Sequence, residues 1–198
     1  MDDIASYHPA PVFARFYEWA SRRRSFAAQF DPYRRAIAQM SRGHVLELGA
    51  GGGQNFPYYD PERVTEVEAT EPDSTMVGYA RQHVGDGRVP IHVVQAAAEQ
   101  LPFDAGAFDT VQATLVLCSV MSLRQTLAEI ARVLKPDGQL LLFEHVRSPH
   151  RWIAAVQTAF TPVQRRFAGN CHLNRDIRGA LLDARFSITT EKWYGNGL

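Results

Sequence analysis

The residues 45–56, VLELGAGGGQNF, place an apolar run directly before clustered glycines. An apolar strand that feeds a glycine turn lets backbone N–H groups approach a ligand closely. A phosphate-binding loop of the GxxxxGK[ST] type would need a lysine after the glycines, and none follows. A dinucleotide fingerprint needs GxGxxG, and Gln54 stands at its third glycine. The spacing is GxGxG: Gly49, Gly51 and Gly53, with Ala50 between the first two. Glu47 lies just before the turn, where a carboxylate is badly placed beside a pyrophosphate. It suits a cofactor bearing an ammonium and a sulfonium, and S-adenosylmethionine is such a molecule. Glu71, on the second apolar run, is placed to accept bonds from ribose hydroxyls. That feature is shared with dinucleotide binders. The remaining groups with chemical reach are His145, Cys118, Asn170 and His172. His145 is the first candidate general base. Cys118 reads more readily as a small buried apolar residue. Glu144 is expected to point away from His145 if the strand alternates through both.

These residues need elements to hold them. Strand patterns lie at 44–48, 63–70, 91–95, 110–115, 139–145 and 186–194. Helical patterns lie near 73–83, 123–134, 152–167 and 175–183, and residues 10–42 also read as helical. Asp31-Pro32 reads as a fresh helix start, and residues 135–138, KPDG, as a turn. Alternating strands and helices imply a single Rossmann-like α/β domain with a mostly parallel sheet and helices on both faces. Its ligand then sits beyond the carboxyl ends of the strands. The expected division is an N-terminal helical lid at 1–42, a cofactor-binding core at 43–145, and acceptor-side helices with a last strand at 146–198. The apolar stripe of Trp152, Ile153, Val156, Phe160 and Phe167 is expected to cover the sheet.

The chain has 198 residues, a formal net charge of zero, and 45% hydrophobic residues. That length suits one domain, and the neutral charge lacks the basic footprint of a nucleic-acid binder. The two cysteines form no CxxC pair, and no Cys/His spacing suggests zinc, so no metal is expected. Two free thiols fit a reducing cytoplasm. The opening segment, MDDIASYHPAPVF, is acidic and without a long apolar stretch, and is expected to be neither a leader nor a membrane span. The basic run Arg22-Arg23-Arg24 reads as a solvated helix face, with peripheral membrane contact as the minority reading.

From Val45 to Phe143 the chain resembles the class I S-adenosylmethionine-dependent methyltransferases. VLELGAGGG resembles their first motif, EATEPDSTM the second-strand motif, AAAEQLPFDAGAFDTV the adenine-loop motif, and LAEIARVLKPDGQLLLFE the fifth-strand unit. TLVLCSV, the EHV after the fifth strand, and GNCHLNRD resemble the methyltransferase-like thiol methyltransferases. The ubiquinone/menaquinone-type and phospholipid N-methyltransferases are similar in pattern. Ala97 stands where the family's third-strand motif has Asp, and few residues remain for the family's seventh strand. An edge left uncovered is open to a second copy of the chain, so a homodimer stays open.

The resemblance implies roles residue by residue. Backbone groups at Gly49, Ala50, Gly51 and Gly53 hold the amino-acid end of S-adenosylmethionine, with Glu47 behind them. Glu71 takes the ribose hydroxyls, Pro72 and Met76 flank the adenine, and Ala98 and Glu99 meet its edge. Leu115 and Cys118 border the methyl group, and Tyr17 closes the site. The expected activity is methyl transfer to a small lipophilic acceptor, a thiol being the narrowest reading. A quinone precursor or phospholipid head group is the runner-up. A non-catalytic adenosyl-binding module and a dinucleotide oxidoreductase are the rivals of other classes.

Overall fold

The computed structural model describes residues 11–194. Residues 1–10, which hold most of the acidic N-terminal segment, lie outside them. Two helices, α1 (Pro11–Ser21) and α2 (Arg24–Met40), precede the sheet. The sheet comprises β1 (Gly43–Leu48), β2 (Val64–Glu71), β3 (Ile91–Gln95), β4 (Phe108–Thr114) and β5 (Leu134–Phe143). Between and after them run α3 (Ser74–Gln82), α4 (Leu123–Val133), α5 (Arg151–Phe167) and α6 (Ile177–Asp183). The helix starts carry their own signals. Asp73 caps α3 through the N–H groups of Thr75 and Met76, Ser122 caps α4, and Asp176 caps α6.

All strand pairs are parallel, in the order β3-β2-β1-β4-β5. Strand order therefore reverses between β1 and β4, which opens the crevice where such sheets bind ligands. Alternation sends side chains to two faces with separate cores. Leu46, Leu48, Val111 and Ala113 pack with Leu127 and Ile130 of α4 and Ile177 and Leu181 of α6. Val45, Val67 and Ala69 pack with Ala38 of α2 and Ala80 of α3.

Several sequence expectations are corrected. The helix break falls at Arg22-Arg23, not at Asp31-Pro32, and Pro32 lies inside α2. Pro32 forfeits one backbone bond there, while the helix after it stays packed: Ala38 is fully buried, and the Tyr33 ring stacks 4.7 Å from Phe143. Residues 135–138 belong to β5 but bulge from it. The register jumps from Phe108↔Leu134 to Thr110↔Gln139, so the turn survives as an excursion within the strand.

No strand forms at 186–194. The N–H of Phe186 closes the end of α6 on Leu181 O, and Arg185 takes a left-handed φ of +65°. The segment is then tied back by side chains, with the Tyr194 ring 4.6 Å from Tyr33 and Arg178 3.3 Å from Glu191. The α5 stripe does not cover the sheet as a whole: Ile153 is buried, but Trp152, Val156, Phe160 and Phe167 are exposed. Among the described residues, no helix is long and apolar enough to cross a membrane.

Candidate active site

The turn after β1 reaches the crevice. Gly49 has φ +58°, and a Cβ there would stand 2.6 Å from Val116 Cγ2, so only glycine lets the turn close against the segment after β4. Gly51 has φ +57°, and its N–H donates to Glu71 Oε2 at 2.9 Å. Ala50 is buried, and its N–H donates to Thr70 O at 2.9 Å. Gly53 caps the curve with a left-handed φ of +85°. The other Glu71 oxygen accepts from Asp73 N–H at 3.0 Å. Burial pushes the Glu71 carboxyl up to about 7, against the pull of these two bonds. Pro72 is half-buried beside it, and Met76 is buried on the first turn of α3.

Glu47 lies beneath the turn rather than on it. It is fully buried, with Oε1 accepting from Asn55 Nδ2 at 2.8 Å and Oε2 from the Tyr59 hydroxyl at 2.7 Å. Burial lifts it to about 7, offset by those bonds and by the charge of Arg34. Asn55 Oδ1 is buried without a hydrogen-bond partner. The lining fits S-adenosylmethionine: a glycine cradle, the Glu71 carboxyl beside it, and an orphaned acceptor at Asn55, which Glu47 holds from beneath. Such groups favour ammonium, sulfonium and hydroxyl ligands and disfavour phosphate.

Helix α1 lies over the turn. Tyr17 is half-buried; its hydroxyl accepts from Arg34 Nη2 at 3.1 Å, and its ring edge comes within 4.0 Å of a Cβ built on Gly51. Gln54 Nε2 donates to Glu18 Oε2 at 2.9 Å and to Ser21 Oγ at 3.0 Å. Arg22 pairs with Glu18 and donates to Gly52 O at 2.8 Å. Arg22 and Arg23 are exposed in the break between α1 and α2 rather than on a helix face, and the Arg23 guanidinium sits 3.8 Å over the Trp19 ring. Sequence reasoning named Tyr17 alone here. The signal for the rest was Gln54, an amide where the dinucleotide pattern would place glycine.

On the other side of the crevice the segment 115–120 is clamped. Leu115 holds a left-handed φ of +60°, which is costly for a residue with a branched side chain, and its N–H donates to Phe143 O at 2.7 Å. Glu144 accepts from Val116 and Leu117 N–H, each at 2.8 Å, and from Cys118 N–H at 3.2 Å. Burial raises its carboxyl, and these three bonds oppose the rise. From the far side Asn170 donates to Ser119 O, His172 N–H to Cys118 O, and Arg175 to Leu117 O and Val120 O. Sequence reasoning placed Asn170 and His172 on a loop folding over the rim but missed Arg175.

His145 and Glu144 do not diverge. β5 ends at Phe143, so strand alternation no longer governs them, and both converge on the 115–120 segment. His145 Nδ1 lies 4.0 Å from Cys118 Sγ and 3.5 Å from Cys171 Sγ, and the two sulfurs are 3.5 Å apart. The two thiols, expected to be free, are free and are neighbours. Their contact, burial and the Glu144 charge push the Cys118 thiol up, while the same contact brings the Cys171 thiol down. Contact with Cys118 raises the His145 imidazole against the opposing effect of burial.

Two adenine-side positions are occupied within the protein. Ala98 is buried in the core beside Leu101. The Glu99 carboxylate accepts from Met121 N–H at 2.7 Å and Ser122 N–H at 3.1 Å, so it ties the start of α4 rather than projecting as a free acceptor.

A family described as a methyltransferase domain matches residues 46–142. The chain is 30% identical over 192 residues to the thiol S-methyltransferase TMT1B of Rattus norvegicus, covering 94% of this chain and 77% of that protein. It is 31% identical over 153 residues to the phosphatidylethanolamine N-methyltransferase of Cereibacter sphaeroides, covering 75% and 74%. Among solved structures, a SAM-dependent methyltransferase from Aquifex aeolicus shares the fold with a TM-score of 0.58 at 21% identity, covering 73% of this chain and 77% of that one.

Proposed function

The chain belongs to the class I S-adenosylmethionine-dependent methyltransferases, and on that premise we propose that it methylates the sulfur of a small lipophilic thiol. When bound, S-adenosylmethionine supplies a methyl group on an electron-poor sulfonium. The protein's part is position, desolvation and control of the acceptor's proton. In this proposal the backbone of Gly49, Ala50, Gly51 and Gly53 holds the amino-acid end, supported from beneath by Glu47 and Asn55. Glu71 exchanges the Gly51 and Asp73 N–H groups for ribose hydroxyls. Pro72 and Met76 flank the adenine, and the backbone near Ala98 meets its edge. Leu115 and Cys118 border the reacting carbon, and Tyr17 with its α1 neighbours closes the turn.

A thiol is a weak nucleophile until it ionises, so the acceptor side needs a group that favours thiolate. The observation that carries the thiol reading is the convergence of His145 on the segment after β4, in a chain similar to a thiol S-methyltransferase over 94% of its length. The runner-up, a phospholipid head group or quinone precursor, draws on the similarity to the phosphatidylethanolamine enzyme. The deciding experiment incubates the protein and S-adenosylmethionine with hexanethiol, a demethylated quinol and phosphatidylethanolamine vesicles in parallel. Mass spectrometry then follows the methylated products. Methyl hexyl sulfide should form. Product only from the quinol or the lipid would sink the thiol reading, and cofactor binding without any product would favour the non-catalytic alternative.

A further inference from the structure

We propose that Cys118, His145 and Cys171 form a binding site for a thiophilic divalent cation, zinc being the best fit, with its fourth position open to the acceptor thiol. The three side chains come from three segments: the loop after β4, the chain leaving β5, and the loop before α6. No short-range spacing announces them, and the two cysteines lie 53 residues apart. Their ligand atoms match a tetrahedral ion. Metal–sulfur bonds of about 2.3 Å and a metal–nitrogen bond of about 2.0 Å set two sulfurs about 3.8 Å apart and each sulfur about 3.5 Å from the nitrogen. The observed separations are 3.5 Å between the sulfurs, and 3.5 Å and 4.0 Å from them to Nδ1. A disulfide would need the sulfurs at about 2.0 Å.

The surroundings are those of ligands held in place. The Cys118 backbone is pinned on both sides, its N–H by Glu144 and its carbonyl by His172 N–H at 2.8 Å. Such outer contacts orient metal ligands. Glu144 is already engaged by three N–H groups, so it is not a fourth ligand. Three protein ligands, rather than four, are the set of zinc sites that keep a position for substrate. This last step rests on the thiol reading above. The acceptor R–SH would bind as R–S⁻, its proton passing to solvent, so that the metal stabilises the thiolate and His145 serves as a ligand rather than a free base.

The test uses the whole chain purified under reducing conditions, its metal content measured, then stripped and titrated with Co²⁺. The expected result is one ion per chain, with the intense visible absorption of tetrahedral cobalt and sulfur-to-metal charge transfer. Hexanethiol should strengthen the charge-transfer band. Cys171→Ser should weaken Co²⁺ binding at least about tenfold while its affinity for S-adenosylhomocysteine, the control for folding, stays unchanged. Octahedral cobalt, or binding untouched by Cys171→Ser, would overturn the site. So would recovery of Cys118 and Cys171 as a disulfide with no metal retained. Full thiol methylation by metal-free protein would overturn the metal's role and leave the thiol reading standing. Tetrahedral cobalt with no methylation of any thiol would support the site and sink the thiol reading.

Discussion

Glu47 and Glu71 have opposite relations to the cofactor cradle, and their titration separates them. Both carboxyls are raised to about 7 from an ordinary 4.5, chiefly by burial. A raised carboxyl binds more protons in the native state than in the unfolded one across that interval. Its stabilising contribution is therefore whole below about pH 4.5 and declines as pH rises towards 7, by about 3 kcal/mol per group. Urea unfolding of cofactor-free protein should show stability falling from pH 5 to pH 8, with Glu47→Gln making that slope shallower. A slope unchanged in Glu47→Gln would mean that the buried carboxyl is not the source. For Glu71 the same ionisation favours the ligand, because only the carboxylate accepts two hydroxyl bonds. S-adenosylhomocysteine should bind about tenfold more tightly at pH 8 than at pH 6. Glu71→Ala should weaken binding by about 1–3 kcal/mol and abolish that pH dependence; calorimetry reads both.

At the scale of elements, the 115–120 segment is held by the Glu144 carboxylate and by the loop before α6. Glu144 serves three backbone N–H groups, and leaving them unsatisfied costs about 1–3 kcal/mol each. Glu144→Ala should therefore lose at least about 3 kcal/mol of stability and free the 115–120 segment to exchange its amide hydrogens. Helix α5 divides its apolar residues differently from the stripe in its sequence. Ile153→Ala should cost about 2–5 kcal/mol as a core truncation, whereas Trp152→Ala, at a residue 66% exposed, should stay within about 0.5 kcal/mol. Equal losses from the two would show that the helix buries its whole stripe in solution. The helical periodicity of this segment was readable. Which residues of the stripe meet the sheet depends on how the helix is rotated, and periodicity does not set that.

Across the whole molecule, the site exists because β1 and β4 are neighbours while their helices go to different faces. The Gly49 turn and Val116 then meet across the crevice, and Gly49→Ala should disrupt cofactor binding through both its clash and its left-handed φ. Adding Val116→Ala should recover part of the affinity, short of the about 1–2 kcal/mol that the backbone strain retains. No recovery would mean that the contact with Val116 is not what excludes a side chain. The strand–glycine–strand–acid order was legible from the sequence. Local periodicity marks strands, clustered glycines mark a turn that side chains would block, and Glu71 falls at a fixed distance along the chain. The parallel sheet and the family resemblance follow from that order. The contacts that join distant segments were not legible: Gln54 to Glu18, Glu144 to the 115–120 backbone, Arg175 to the same segment, and the meeting of Cys118, His145 and Cys171. Nothing in the spacing of these residues records them. They arise only where the order of the strands brings the ends of β4 and β5 and the loop before α6 together, and only packing decides which side chains face one another there.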